Sequence, residues 1–467
     1  MRNLFVTALV VIVVSPYLYG AECPTSSKGS EYRSPIHFMP QLPTKKCVGD
    51  VMPFYWKGEY HVFYLTNPLG NNDVNWEHCS TSDLINWKEY PLALKPDPND
   101  PNGPEGGCMF TGCIVEKDGI FHTWYTSWNP KNPQGREFLS YATSKDLITW
   151  TKHPEHRIAP DGIHYANHQM RDFRDPQIFW NPEKKEYWMH ILANEVPVKN
   201  PFGENERTFG LLTSSDLVKW AQKPAVKLLD CDGDECPDYF KIGDTHYIHS
   251  CRKYYYSDKI DGPYRHPKAT KIIDECISAA KRVWDGKRHV WFGGSWRESN
   301  VMVMPREIYA GPEGLLYIKP VDEVLAVYKN TLFDLTDAGV LKADEAARTF
   351  DVPVNYMMQC QFKLDTDSKV TFVIGGDYRL TLDPANGCWI LDSKDDERIN
   401  PLPIDFTKPL KLQIFVERDL IECFINDQFA QTCSTKKRSK KLEIDVETGS
   451  VEIQKLKVKT AAPVSAL

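Results

Sequence analysis

The octapeptide STSDLINW at residues 80–87 recurs along the chain and decides the expected fold. Further copies are TSKDLITW at 143–150 and TSSDLVKW at 213–220, and a weaker one, YSDKIDGPY, lies at 256–264. The Ser, Thr and Asp side chains of such a motif cap a tight turn, the Leu anchors it, and the Trp opens the next strand. Copies about 65 residues apart leave room for roughly four short strands each, as in the blades of a β-propeller.

Short apolar and aromatic runs lie between these copies and are typical of strands. Each is about six residues long, and most follow a turn that contains Gly or Lys. The runs are residues 60–65, 120–125, 187–192, 245–249 and 289–292. Together with the repeats they predict a propeller of four or five blades over residues 31–320.

The pattern changes after residue 307. Alternating strands return from Val352 onward, without a copy of the blade motif. We therefore predict a separate β-sandwich over residues 335–460. The expected fold class is all-β, with a β-propeller followed by a C-terminal β-sandwich.

Composition and the N-terminal sequence restrict the possible partners and the cellular compartment of the protein. The 467-residue chain has 56 Lys and Arg against 63 Asp and Glu, and this balance, without a basic stripe, argues against a nucleic-acid partner. Residues 1–21 contain an apolar run at 4–14 and predict a secretory signal, hence a secreted or periplasmic protein. That run is too short to span a bilayer, and no later stretch is apolar enough. A buried N-terminal strand is the alternative.

Three acids stand where strands begin, flanked by Gly, Cys or Pro. They are Asp50 before VMPFY, Asp175 before PQIF, and Glu235 before CPDYF. Each falls in the first strand of a different repeat, and equivalent positions of innermost strands converge on the mouth of a propeller's channel. Two carboxylates with a third acid suit glycoside hydrolysis, although each acid singly also fits a surface turn.

The sequence contains no Gly-rich phosphate loop, no pair of His residues at helical metal spacing and no convincing Ser-His-Asp set. We therefore expect neither a cofactor nor a metal.

The chain resembles glycoside hydrolase family 32, which contains invertases, inulinases and levanases. The resemblance covers nearly all of the chain that follows the predicted signal at residues 1–21, and the order of its RDP and EC motifs is specific. Its motifs are HFMP (37–40), GEYHVFY (58–64), WEH (76–78), FTGC (110–113), DFRDP (172–176), ECPD (235–238), PRE (305–307), LQIFVER (412–418) and ECFIND (422–427).

The resemblance implies a five-bladed β-propeller followed by a C-terminal β-sandwich, and it implies a role for each acid. Asp50 matches the nucleophile, Glu235 the acid/base, and Asp175 the acid that holds sugar hydroxyls and stabilises the transition state. Arg174 would bind a hydroxyl or keep Asp175 ionised, and Glu235 should have a raised pKa. The other expected substrate contacts are Phe110, Thr111, Trp76 and Trp296.

The resemblance further implies a secreted enzyme that cleaves furanosidic bonds of an oligo- or polysaccharide, above all β-fructosides, by a retaining double displacement. The family's first motif, WMNDPNG, is rewritten here as KCVGDVM at 46–52, where only the Asp remains. Two alternatives therefore stay open. One is an inverting arabinofuranosidase or xylosidase like those of family 43, and the other is an inactive sugar-binding propeller.

Overall fold

The computed structural model describes residues 33–41, 47–66, 74–166, 172–199, 205–295, 301–376, 378–393, 396–434 and 439–461. The predicted secretory signal at 1–21 and Trp296 lie outside these residues. Almost all regular structure in the described residues is β, which confirms the all-β fold class. The helical segments are one α-helix, α1 (Asp322–Val327), and 3-10 turns at Pro154–His156, Pro312–Gly314 and Pro384–Asn386.

Nineteen strands fold into five successive antiparallel sheets, each made from one continuous stretch of chain. The first sheet contains β1 (Val51–Trp56), β2 (Glu59–Leu65), β3 (Trp76–Thr81) and β4 (Lys88–Glu89). The second contains β5 (Cys108–Lys117), β6 (Ile120–Trp128), β7 (Glu137–Ser144) and β8 (Trp150–Lys152). The third contains β9 (Phe173–Asn181), β10 (Glu186–Lys199), β11 (Asn205–Ser214) and β12 (Ala221–Lys223). The fourth contains β13 (Asp238–Ile242), β14 (Thr245–Ser250) and β15 (Lys253–Ser257), and the fifth β16 (Ser278–Trp284), β17 (His289–Gly294), β18 (Arg306–Ala310) and β19 (Leu316–Pro320).

The first strands of these sheets lie side by side around a centre. β1 contacts β5, β5 contacts β9, β9 contacts β13, and β16 contacts both β14 and β1, which closes the ring. Apolar clusters fill the spaces between neighbouring sheets. This is a β-propeller, and the predicted number of five blades stays a prediction that these sheets support.

The repeated motif forms the same turn in three sheets, between the third and fourth strands. The carboxylates of Asp83, Asp146 and Asp216 each accept backbone N–H groups two and three residues onward, at 2.7–3.0 Å. The next residue, a Leu in each copy, has a φ between 64° and 68° and is buried. The predicted role of the repeat, to build blades, is confirmed.

The rest of the chain forms two six-stranded sheets that pack face to face over a shared apolar core. One sheet has the order β20-β31-β22-β27-β28-β29 and the other β21-β30-β23-β24-β25-β26. In chain order the strands are β20 (Asn330–Lys342), β21 (Arg348–Asp351), β22 (Tyr356–Leu364), β23 (Lys369–Ile374), β24 (Tyr378–Asp383), β25 (Cys388–Ser393), β26 (Asp396–Pro401), β27 (Leu410–Glu417), β28 (Leu420–Ile425), β29 (Phe429–Ser434), β30 (Lys441–Thr448) and β31 (Ser450–Thr460).

This second unit is the expected β-sandwich. Its first strand, β20, begins at Asn330, ahead of the predicted start at residue 335. The strand lies at a sheet edge and most of its side chains are exposed, so its sequence lacks the alternation that marks a half-buried strand. The predicted division of the chain stays a prediction in its details.

A buried ionic cluster joins the propeller to the sandwich. Arg306, which is fully buried, donates to Asp274 at 2.7 Å and to Glu422 of the sandwich at 2.8 Å. Glu422 also contacts the His37 ring nitrogen at 2.6 Å, and Thr432 bonds both Arg306 and Asp274 at 2.6 Å. Because charges out of water must be paired, this cluster fixes how the two units meet.

The described part of the chain has no helix that is both long and apolar enough to cross a membrane.

Candidate active site

Backbone distortions mark the ring ends of several innermost strands. Register shifts interrupt β5 between Met109 and Gly112, and β16 between Ser278 and Lys281. The φ angles of Asp175, Cys236 and Ala279 are 61°, 57° and 54°. Non-Gly residues rarely adopt this left-handed region, and β-bulges next to active sites re-aim side chains. These distortions turn polar side chains toward one place at the end of the ring.

The thiol of Cys236 lies at the centre of this place. Its sulfur is 3.5 Å from Oδ2 of Asp50 and 3.5 Å from Oδ2 of Asp175. Its backbone N–H also donates to Asp175 Oδ2 at 3.1 Å. The nearest oxygens of the two carboxylates are therefore within twice 3.5 Å of each other. Glu235 immediately precedes Cys236 in the chain. The structure brings the three predicted acids together.

Asp50 immediately precedes β1 and is held by neutral donors. The hydroxyl of the buried Thr111 donates to its Oδ2 at 2.5 Å, and the Cys236 thiol donates to the same oxygen. Burial raises the pKa of Asp50, and nearby Glu235 raises it further. The bonds from Thr111 and Cys236 and the charge of Lys281 act in the opposite direction without cancelling the effect.

Asp175 is 3% exposed, and its left-handed backbone is held by Thr126, whose hydroxyl accepts the Asp175 N–H at 2.8 Å. Burial raises the pKa of this carboxyl to about 7. Arg174, with Nε 3.7 Å from Asp175 Oδ2, lowers it, and the charges of Glu235 and Asp50 raise it again. The expectation that Arg174 keeps Asp175 ionised is thus met only in part, because burial outweighs a contact at this distance.

The guanidinium of Arg174 connects four acids. It contacts Asp175, donates to Glu137 Oε1 at 3.0 Å and to Glu235 Oε1 at 2.7 Å, and pairs closely with Asp172. Glu137 also accepts the N–H of Phe173 at 2.8 Å. This arrangement fixes Arg174 on the side of the site where Glu235 lies.

Glu235 is the most exposed of the three acids, with 43% of its side chain exposed. Its Oε1 accepts from Arg174 and, at 3.0 Å, from Arg207. Burial raises the pKa of Glu235, but the two guanidinium groups outweigh it and hold the pKa below its ordinary value. The expectation of a raised pKa is therefore wrong for this arrangement, because sequence alone did not reveal that two cations meet on this carboxylate.

The predicted aromatic contacts divide into two kinds. Trp76 has none of its side chain exposed, donates through its ring N–H to the Phe110 carbonyl at 2.9 Å, and packs on Phe63 and Tyr125. This differs from the expected contact with a sugar, because the ring fills the space between the first two sheets. Phe110 is partly exposed beside Trp128, with ring centroids 5.6 Å apart, and stays a candidate. Trp296 lies outside the described residues.

Two cations of the site were missed from the sequence. Arg207 in β11 binds Asp172 at 2.9 Å as well as Glu235. Lys281 in β16 is 3% exposed, and its charge lowers the pKa values of Asp50 and Asp175. Arg207 lies 32 positions after Asp175 of the RDP motif and has no local sequence signature. Lys281 follows two Ala residues in a strand whose inward side chains are expected to be apolar. An ionisable residue at an inward position was the available signal.

Within the described residues no group of three or more His, Cys, Asp or Glu side chains is arranged to hold a metal ion. The expected absence of a metal and of a cofactor stays a prediction.

Known proteins resemble the chain over both units. Residues 38–292 match the family described as "Glycosyl hydrolases family 32 N-terminal domain". An insoluble β-fructofuranosidase isoenzyme of Arabidopsis thaliana, CWINV1, is 32% identical over 227 residues, which are 46% of this chain and 36% of that enzyme. The levanase of Bacillus subtilis is 24% identical over 531 aligned positions, 98% of this chain and 74% of the levanase.

Solved structures share the fold. The exo-inulinase from Aspergillus awamori superposes with a TM-score of 0.73 at 20% identity, covering 92% of this chain and 98% of that one. A sucrose-6-phosphate hydrolase from Lactobacillus gasseri gives 0.72 at 17% identity, with 92% and 93% covered. Since the family match spans more than half of the sequence, the chain belongs to glycosyl hydrolase family 32.

Proposed function

We propose that the protein hydrolyses β-fructosidic bonds of sucrose or fructans by a retaining double displacement. The observation that carries the proposal is that the Cys236 thiol contacts both Asp50 and Asp175 at the end of the ring. Arg174 contacts Asp175 and bonds Glu235, which brings the third acid to the same place. Membership of family 32 supports the proposed reaction. Further support comes from the similarity to a levanase over most of the chain and to a β-fructofuranosidase over part of it.

Asp50 is the proposed nucleophile. The hydrogen bonds from Thr111 and Cys236 both end on Oδ2, so Oδ1 is the oxygen that attacks the anomeric carbon. Attack releases the leaving group and forms a covalent glycosyl-enzyme, which water then hydrolyses, so that the configuration of the sugar is retained. The donors on Oδ2 hold the carboxylate in one rotamer before attack.

Glu235 is the proposed acid/base, and Asp175 the acid that binds sugar hydroxyls. Glu235 is on the exposed side of the site, where a leaving group departs and water enters. To protonate the leaving oxygen, Glu235 has to carry a proton, which its ion pairs with Arg174 and Arg207 oppose. We therefore propose that sugar binding moves the Glu235 carboxyl away from these guanidinium groups, so that the carboxyl takes up a proton.

The test is incubation of the purified protein with sucrose, inulin, levan and arabinan, followed by identification of the released sugar. We expect fructose, with carbon NMR before mutarotation showing the same anomeric configuration as the substrate. The Glu235→Gln variant is the matched control and should release far less. Inverted product or arabinose would favour the family 43-like reading, and binding without turnover would favour an inactive sugar-binding propeller.

We also propose that residues 1–21 direct secretion. The secretion proposal is supported by the apolar run at 4–14, which follows a single Arg. This run lies outside the described residues. N-terminal sequencing of the protein recovered outside the cytoplasm should begin after Gly20 or Ala21. An intact Met1 in the mature protein would contradict this.

A further inference from the structure

Lys281 is a buried cation that the proposed mechanism does not use. It lies in β16 directly after the register shift that begins at Ser278, and Ala279 within this shift has a φ of 54°. A bulge changes the face to which the following side chain points. The Lys281 side chain is thereby buried, and its Nζ donates to the Gly112 carbonyl at 3.2 Å.

The carbonyl of Gly112 belongs to the segment that holds both buried acids. The preceding Thr111 donates its hydroxyl to Asp50, and its carbonyl accepts from the Thr126 hydroxyl at 3.2 Å. Thr126 in turn accepts the N–H of Asp175. A Cβ at Gly112 would collide with the Trp124 carbonyl and with Trp76, so this segment packs closely against its neighbours. Lys281 therefore contacts the segment that supports Asp50 and Asp175.

The groups whose pKa values are affected by the charge of Lys281 come from four sheets. They are Asp50, Cys113, Asp175, Asp238 and His249. The neighbouring sequence position, Arg282, already pairs with Asp238 at 3.5 Å, and Arg174 lies beside Asp175.

The remaining groups carry no charge at neutral pH or have only neutral donors. Burial lowers the pKa of His249 to about 4 and raises that of Cys113 to about 11, so both are neutral. Asp50 is different, since its described hydrogen bonds come from a hydroxyl and a thiol. A buried carboxylate without a cation nearby takes up a proton instead of staying charged.

We propose that Lys281 is a positioning residue for the reaction, the buried cation that keeps the Asp50 carboxylate charged and in place for attack. The proposal rests on the proposed role of Asp50 as nucleophile. It explains why an ammonium group with only a carbonyl acceptor among the described residues is buried beside the site, where a neutral side chain would cost less.

The experiment compares Lys281→Gln and Lys281→Met, which remove the charge, with Lys281→Arg, which keeps it. The first readout is the protonation midpoint of Asp50, followed by infrared difference spectra of the carboxylic acid band and assigned with Asp50→Asn. It needs no turnover. The second readout is kcat/KM with sucrose across pH. We expect the midpoint to rise by about one pH unit in the neutral variants, since nearby opposite charges shift a carboxyl by about 1–3 units and Lys281 is not in direct contact.

On the acidic side of the profile, the same shift lowers kcat/KM about tenfold in the neutral variants, while Lys281→Arg stays near the wild type. A purely structural Lys281 would lower activity equally at every pH. An unchanged midpoint in folded neutral variants, or an equal shift in Lys281→Arg, overturns the proposal. So does failure of both neutral variants to fold, because the residue would then serve folding. A shifted midpoint in a protein without activity on fructosides supports the Lys281 proposal and contradicts the proposed function.

Discussion

Arg207 holds the proposed acid/base in its ionised form, and removing that contact should make the enzyme faster at alkaline pH. In Arg207→Gln, Glu235 keeps its bond to Arg174 at 2.7 Å but loses the guanidinium at 3.0 Å. Unit charges about 4 Å apart interact by about 1 kcal/mol in water and about 4 kcal/mol at an effective dielectric of 20. Because 43% of Glu235 and 35% of Arg207 are exposed, screening makes the lower figure appropriate.

About 1 kcal/mol corresponds to a rise of about 0.7 in the pKa of Glu235. The active form has Asp50 ionised and Glu235 protonated. At pH values above the pKa values of both groups, the fraction of enzyme in this form grows with the pKa of Glu235. We expect kcat/KM for sucrose to rise about fivefold there. The assay is the initial rate of fructose release across pH for wild type, Arg207→Gln and Arg207→Lys.

Two controls make this result specific. Arg265→Gln removes an exposed arginine far along the chain, paired with Asp258 at 3.9 Å, and should change nothing. A nitrophenyl β-fructoside, whose leaving group needs little proton assistance, should gain less than sucrose. If Arg207→Gln has the same or a lower alkaline kcat/KM than wild type, the reasoning about Glu235 is refuted.

Three further predictions test other parts of the structure. Asp50→Asn should lower kcat by several orders of magnitude while calorimetry still detects substrate binding, and near-normal turnover would remove Asp50 from the nucleophile role. Glu235→Gln should slow sucrose more than a nitrophenyl fructoside, whereas equal losses in steady-state kcat/KM would argue against proton donation. Arg306→Met should cost about 3–5 kcal/mol in urea unfolding because Asp274 and Glu422 stay buried without their cation, while Lys441→Met, at an exposed pair, should cost less than about 1 kcal/mol.

The fold could be predicted from sequence because its signals are local. Each copy of the motif at 80–87, 143–150 and 213–220 forms its turn with its own Asp, its own Ser or Thr hydroxyl and its own Leu. The meeting of the three acids could be predicted for a related reason. Each lies near the start of the first strand of its sheet, and repetition around a ring brings such positions together. The edge strand β20 was not predicted as a strand, since most of its side chains are exposed.

The all-β class, the repeat of the blades and the convergence of Asp50, Asp175 and Glu235 follow from local sequence signals. Their charge states depend on the tertiary structure, because a pKa depends on burial and on charges that come from distant strands. Arg207 reaches Glu235 from β11, and Lys281 comes close to Asp50 only through the ring contact of β16 with β1. The burial of Trp76 between two sheets has the same origin, since a side chain's exposure is fixed by neighbours that are remote in the chain.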